Sequence, residues 1–495
     1  MKKYILEIIV FICGAAVMIL EMVGSRILAP YLGTSIVVWT SLIGIILGCL
    51  SIGYWYGGKF ADKNPNYKMF SFVIFLGAIF TGLIVFIKSF ILIFILQNTS
   101  NIYLGTILST ISFFAIPSIL LGMVSPYAVR LKMHAVSESG ATVGNLYAIS
   151  TIGSIVGTFA AGFFLIPFFG SINIIFFLSI ILILTSVLAY AKNFIKTKIA
   201  GVLFFLLCFI VSSSLASASR ENGLIDIDTQ YNKIWIYKSI DKKTQRPILN
   251  LVTDPFVKQS AMFLDNDDDL VFDYAKFYRL ADHFKKDINH SLIIGGAAYS
   301  FPKDYLRKYP DAKIDVVEID PELTEIAKKY FNLKDDPRLK IYHEDGRTFL
   351  NKIKNKYDVI YGDAFTSHIS IPYQLTTKEA VEKIYNALNN NGIALINIIS
   401  AIEGRKGEFL RAEYLTYKNV FPQVYLFPVR EPENGEEVQN IMLVALKSEE
   451  APVFKNDNQE LNKYLENLWT KEIDEDMPIL IDDYAPVDFY TMKML

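Results

Sequence analysis

The first 217 residues carry 12 Lys or Arg and only 4 Asp or Glu, whereas the remainder holds 36 basic and 46 acidic residues of the chain's 48 and 50. No single water-soluble globule has that division. The first part is almost free of charge and slightly basic, and the second is acidic. A bilayer core takes about 20 apolar residues per helix. Seven stretches meet that length: 5–29, 36–57, 69–96, 103–129, 143–168, 171–191 and 198–216. An all-α multi-span membrane domain is therefore expected over 1–217. The split excludes a disordered chain and a nucleic-acid binder with a broad basic face. Cys13, Cys49 and Cys208 all fall in apolar segments, so no disulfide framework is expected. The scattered histidines offer no metal set.

Basic residues gather in every second loop: Lys2 and Lys3, then Lys59, Lys63 and Lys68, then Arg130 and Lys132, then Lys192, Lys196 and Lys198. By the positive-inside rule the N-terminus is cytoplasmic. Seven spans then place the acidic domain on the extracytoplasmic side. Glu21 and Arg26 lie at membrane depth, where ionisable groups face a partner or a cavity, and a structural ion pair is the expected reading. Gly140, Gly144, Gly153, Gly157 and Gly162, with Ser150 and Ser154, suit close helix packing. Pro117 and Pro126 are expected to kink the fourth span. The segment Gly57-Gly58-Lys59-Phe60-Ala61-Asp62-Lys63 resembles the loop motif of major facilitator transporters and reads as a basic turn.

A small β region is expected over 218–264, with alternating strands at Tyr231 to Ser239 and Pro247 to Thr253. Asp265 to Phe284 reads as a helix entered through the acidic run at 266–269. From 265 to 450 the pattern alternates strand and helix. Strands are expected at Ser291 to Gly296, Lys313 to Asp320, Leu339 to Gly346, Tyr357 to Asp363 and Gly392 to Asn397, with Pro321 in the first turn of a helix. Repeated units of this kind predict a doubly wound parallel sheet whose ligands sit at the strand carboxyl ends. Those ends carry the chemistry. The Gly295-Gly296 turn lets backbone approach a ligand closely. Glu318 is placed to take two ribose hydroxyls. Asp345 with Gly346 suits an adenine amine, and Asp363 is placed to accept a proton from an amine. An acidic tail, 451–495, is expected to pack on this α/β domain.

The motifs LIIGGAA, VVEIDPEL, EDGRTFL, YDVIYGDAF and LTTKEAVEKIYNALNNNGI resemble, in order and spacing, the spermidine/spermine synthase (polyamine aminopropyltransferase) family. The apolar half, with ILEMVGSRILAPYLGTS and VGNLYAISTIGSIVGTFAAGF, looks like the multi-span region fused to such domains in bacteria. The resemblance implies a Rossmann-like, methyltransferase-type sheet and a nucleoside donor held by Gln259, Gly295, Gly296, Glu318, Asp345 and Gly346. It also implies Asp363 as proton acceptor, with Tyr274 and Thr366 at the amine-binding positions. Two departures are visible. The family's diamine-binding aspartate in the glycine turn is Ala298 here, and the second aspartate of its Asp-x-x-Asp loop is Thr366. The nucleoside side is intact and the diamine side is not.

The expected activity is transfer of an aminopropyl group from decarboxylated S-adenosylmethionine to an amine, with no permanently bound cofactor, no metal and no nucleic acid. The lipid bilayer and possible self-association are the expected partners. Two alternatives remain open at this stage. One is an S-adenosylmethionine-dependent methyltransferase on the same nucleoside site. The other is a non-catalytic membrane protein that senses or escorts a metabolite.

Overall fold

A computed structural model describes residues 4–99, 101–133, 139–191, 195–221, 223–253, 258–267, 269–364 and 371–494. The chain forms two compact units, Met1–Asn222 with Asp228–Gln230, and Gly223–Ile227 with Tyr231–Leu495.

In the first unit, six helices are long and apolar enough to cross a membrane: Ile5–Leu32, Ile36–Lys63, Tyr67–Asn98, Ile102–Lys132, Ser139–Phe169 and Ser171–Ala189. Asn66 and Asn101 begin two of them by accepting the Met69 and Leu104 N–H groups at 2.9 and 3.2 Å. The seventh expected span falls in the helix Ile195–Glu221. The third is unbroken despite Lys88. The fourth breaks at Met123, between Pro117 and Pro126, into Ile102–Gly122 and Val124–Lys132. The fifth passes through a π-helical turn, Ala161–Leu165, just before Pro167, whose missing N–H disrupts the regular ladder.

Three expectations for this unit change. The 57–63 segment is not a turn, because the second helix runs on through Lys63. Only some of the small residues pack. A side chain at Gly153 or Gly157 would collide with the Phe11 or Ala15 carbonyl, and Ser154 Oγ donates to Gly14 O at 3.2 Å, while Gly140, Gly144 and Gly162 face open space. Arg26 pairs with Asp228 at 3.3 Å and donates to the Thr229 carbonyl at 2.7 Å rather than depending on Glu21. The basic loops share one end. Arg130 meets Asp62 at 3.0 Å, and Lys132 meets Glu7 at 2.5 Å.

The second unit opens with a four-stranded sheet of β1 (Ile225–Asp228), β2 (Lys233–Ile240), β3 (Pro247–Val252) and β4 (Lys258–Phe263), in that order. The main sheet contains β5 (His290–Ile294), β6 (Lys313–Val317), β7 (Leu339–Tyr342), β8 (Tyr357–Gly362), β9 (Leu388–Ser400), β10 (Gln423–Pro428) and β11 (Gln439–Leu446), in the order β10-β11-β9-β8-β5-β6-β7. β5 to β9 are parallel, and β10 and β11 add an antiparallel edge. The sheet is therefore mixed, not purely parallel. The two antiparallel strands are joined by a turn with no crossover helix, so the strand–helix alternation ends before them. Alternate residues bury on opposite faces: Ile293, Val359 and Tyr361 pack in one cluster, and Leu292, Ile294 and Ile360 in the other.

The helix expected over 265–284 begins only at Asp273 and is broken into Asp273–Phe277, a 3-10 turn at Tyr278–Leu280 and Ala281–Phe284. Of the acidic run before it, residues 266, 267 and 269 are not helical, and Asp268 lies outside the described residues. Asp265 takes Arg246 in a two-point ion pair at 2.7 and 2.8 Å, and Asp269 Oδ1 accepts the Leu270 N–H. Over the tail, Arg411 meets Asp476, Arg347 meets Asp482, and Leu480 and Tyr490 are buried in the sheet's core.

Candidate active site

The strand order reverses between β5 and β8, so the chain leaves their carboxyl ends in opposite directions and opens a crevice there. Gly295, directly after β5, has φ +102°, and a Cβ there would collide with the Asp363 carbonyl oxygen. Only glycine fits. The turn's amides converge on the acid that ends the next strand. Gly296 and Ala297 N–H donate to Glu318 Oε2 at 2.9 and 3.0 Å, and Asp320 N–H donates to Oε1 at 3.0 Å. Glu318 is 6% exposed, and its burial pushes its carboxyl above the usual range despite these three donors. The backbone fixes its orientation before any ligand arrives.

Asp345 caps the helix Gly346–Lys352 through Oδ1, which accepts the Thr348 N–H at 2.9 Å. Its Oδ2 lies 3.5 Å from Gln374 Nε2. Gly346 packs so closely on β5 that a Cβ would sit 2.7 Å from Ile294. Gln259, Gly295, Glu318, Asp345, Gly346 and Asp363 line one cleft.

Asp363 follows β8, and its N–H donates to the Ile294 carbonyl at 2.9 Å, tying the two central strand ends together. Its Oδ1 accepts Asn397 Nδ2 at 3.0 Å, and its Oδ2 accepts the Tyr274 hydroxyl at 3.2 Å. Asn397 Oδ1 in turn accepts Asn440 Nδ2 at 3.0 Å, which fixes which way the Asn397 amide faces. Burial pushes the Asp363 carboxyl up to about 6, and the Asn397 and Tyr274 hydrogen bonds hold it from rising further. Tyr274 is pushed far above the ordinary phenol range by burial and by the Asp363 charge, so it stays protonated and donates. A carboxylate that titrates near 6 is charged at neutral pH yet basic enough to take a proton.

Asp363 and Gln259 line a second, larger cleft of about 400 Å3, together with Tyr274, Asn397 and Asn440. Asp363 therefore stands where two clefts meet. Tyr274 lies beside it. Ala298, at the expected position of an acid, is wholly buried among Leu323, Ile326 and Phe331. Thr366 lies outside the described residues. Asn397, Asn440 and Gln374 were not singled out from the sequence. A polar residue inside the otherwise apolar β9 run was a usable signal for Asn397. Asn440 sits on an unrecognised strand and gave none.

Residues 277–454 match the family model of the spermine/spermidine synthase domain. That matched stretch lies within the C-terminal unit. Among curated relatives, a polyamine aminopropyltransferase of Vibrio vulnificus is 26% identical over half of this chain and 81% of its own length. Polyamine aminopropyltransferase 2 of Aquifex aeolicus is 25% identical over 78% of this chain and 78% of its own. The Aquifex match is longer than the whole C-terminal unit, so it extends into the apolar half. The crystal structure of a probable spermidine synthase from Corynebacterium glutamicum covers 48% of this chain and 85% of that one, at 22% identity and a TM-score of 0.40. The relatives named as aminopropyltransferases are transferases. The apolar N-terminal region lies outside the matched domain.

Proposed function

We propose that the protein is a membrane-anchored aminopropyltransferase that uses decarboxylated S-adenosylmethionine as donor. The observation that carries this reading is Asp363 at the junction of the two clefts, with a carboxyl that titrates near 6 and a buried tyrosine and asparagine orienting it. In the donor cleft Glu318 accepts the ribose hydroxyls, and Asp345 with Gln374 meets the adenine edge. The acceptor amine enters from the larger cleft. Its nitrogen attacks the aminopropyl carbon bonded to the sulfonium. The C–N bond forms as the C–S bond breaks, the electron pair goes to sulfur, and methylthioadenosine leaves. Asp363 takes the proton from the nitrogen.

Alternation of basic and uncharged loops supports a cytoplasmic N-terminus. With the helix Ile195–Glu221 as a seventh span, the C-terminal unit lies on the opposite side. The six apolar helices support a multi-pass protein.

The test is release of methylthioadenosine by the purified full-length protein when it is given the donor and a panel of amines. Product above the level of an Asp363→Asn control supports the assignment. Donor binding with no product from any amine overturns transfer.

A further inference from the structure

The turn after β5 holds two non-glycine residues in left-handed backbone, Ala297 at φ +46° and Tyr299 at φ +56°. A side chain keeps that conformation only where its surroundings over-determine it, and such strain gathers at functional sites. The amides that hold Glu318 belong to this turn. Tyr299 is what fixes it. Its N–H donates to the Gly296 carbonyl at 2.7 Å, and its side chain is wholly buried. Its ring lies so close to Gly296 that a Cβ there would sit 2.9 Å from the ring's Cζ.

The ring is held by two hydrogen bonds in series. Tyr299 Oη lies 2.6 Å from Thr324 Oγ1, which lies 2.9 Å from His343 Nε2. Burial pushes the phenol above its ordinary range, so it keeps its proton. If Thr324 donated to the phenol, that proton would be buried with no acceptor. Tyr299 therefore donates to Thr324, whose own hydroxyl donates to the imidazole. The three residues follow three neighbouring strands. Tyr299 comes after β5, Thr324 lies in the helix Pro321–Tyr330 after β6, and His343 directly follows β7. The same three connections carry the Gly296 and Ala297 amides, Glu318, and Asp345. None of the three linked residues lines the cleft itself.

We propose that Tyr299 is a positioning residue for the nucleoside donor: tied through Thr324 to His343, it locks the left-handed turn so that the Gly296 and Ala297 amides hold Glu318 ready for the ribose hydroxyls. This rests on the transfer reading above, and names what presets its donor site. Removing the Tyr299 hydroxyl leaves the ring in the core but frees it to move away from Gly296. The turn then relaxes, and its two amides no longer converge on one carboxylate oxygen. Part of the free energy of donor binding must then go into orienting Glu318.

The experiment is isothermal titration of the full-length protein in detergent, well below its melting temperature. The probes are methylthioadenosine and its deoxyribose analogue, which lacks one of the hydroxyls assigned to Glu318. Tyr299→Phe and Thr324→Val are each expected to weaken methylthioadenosine about tenfold, the scale of one hydrogen bond, and the double variant no more than either alone. The analogue is expected to lose no more than about threefold in the same variants, because one of the contacts at stake is already missing. Thr324→Ser keeps the hydroxyl and is expected to bind as the parent protein does. Affinity that Tyr299→Phe and Thr324→Val leave in place, whatever happens to the melting temperature, overturns the positioning role and leaves transfer standing. Equal losses for both nucleosides, or Thr324→Ser as weak as Thr324→Val, do the same. A parent protein that binds no methylthioadenosine overturns the donor reading itself.

Discussion

Asp363 is the residue on which the proposed chemistry turns, and its environment makes predictions that a generic carboxylate would not. Burial pushes its carboxyl up to about 6, against the hydrogen bonds that favour its charged form. Below that pH it holds a proton and accepts none. The kcat/KM for transfer is therefore expected to fall about tenfold per unit as pH drops below about 6, beyond the fall due to the acceptor's own titration. Removing the Tyr274 hydroxyl removes a donor to the charged form, so Tyr274→Phe moves this inflection upward by about one unit. An inflection that stays in place shows that Tyr274 does not touch the working base. Asp363→Asn keeps the size of the group and removes the base, with an expected loss of about 100-fold or more in turnover. The sign for stability is opposite. The folded state holds the Asp363 proton more tightly than the unfolded chain does. Its contribution is complete at low pH and lost as pH rises through about 6. Asp363→Asn is thus expected to melt no lower than the parent protein at pH 8, and a lower melting temperature contradicts the assigned shift.

At the scale of elements, the glycine turn after β5 joins the cleft at Glu318 to Asp363. A side chain at Gly295 would meet the Asp363 carbonyl and must also adopt a left-handed backbone. Gly295→Ala is expected to lower stability by about 1–3 kcal/mol and to displace Asp363, so that turnover falls together with melting temperature. The parallel strand ends were legible because each apolar run stops at an acid or a glycine: Gly295, Glu318, Asp345 and Asp363. What escaped the sequence reading depends on contacts between distant segments. The stretch from Asp265 reads as a helix start, yet Arg246, 19 residues away, pairs with Asp265 and donates to the Asn266 carbonyl, and the helix begins only at Asp273. β10 and β11 follow the last strand–helix unit, and nothing local marks their edge pairing. Asn440 reaches Asn397 only through that pairing. Asn397→Ala is expected to raise the pH inflection in the same direction as Tyr274→Phe, which distinguishes positioning from a general loss of fold.

For the whole molecule, the two units differ in what stabilises them. Apolar helices that cross a bilayer would gain little from hydrophobicity there and would depend on close backbone approach. Gly157 lies against the Ala15 carbonyl, whereas Gly162 faces open space. Gly157→Ala is expected to destabilise the protein in detergent by about 1–3 kcal/mol, while Gly162→Ala is neutral or slightly favourable. Equal effects would mean that the first and fifth helices do not pack as described. The C-terminal unit instead depends on a two-faced sheet core, and its crevice is where the account is most exposed to test. Isothermal titration of the full-length protein with methylthioadenosine addresses that crevice directly. The prediction is saturable binding that weakens at least about tenfold in Glu318→Gln and in Asp345→Asn, the latter retaining a good helix cap. Binding that both variants leave unchanged, or no binding by the parent protein, would contradict it.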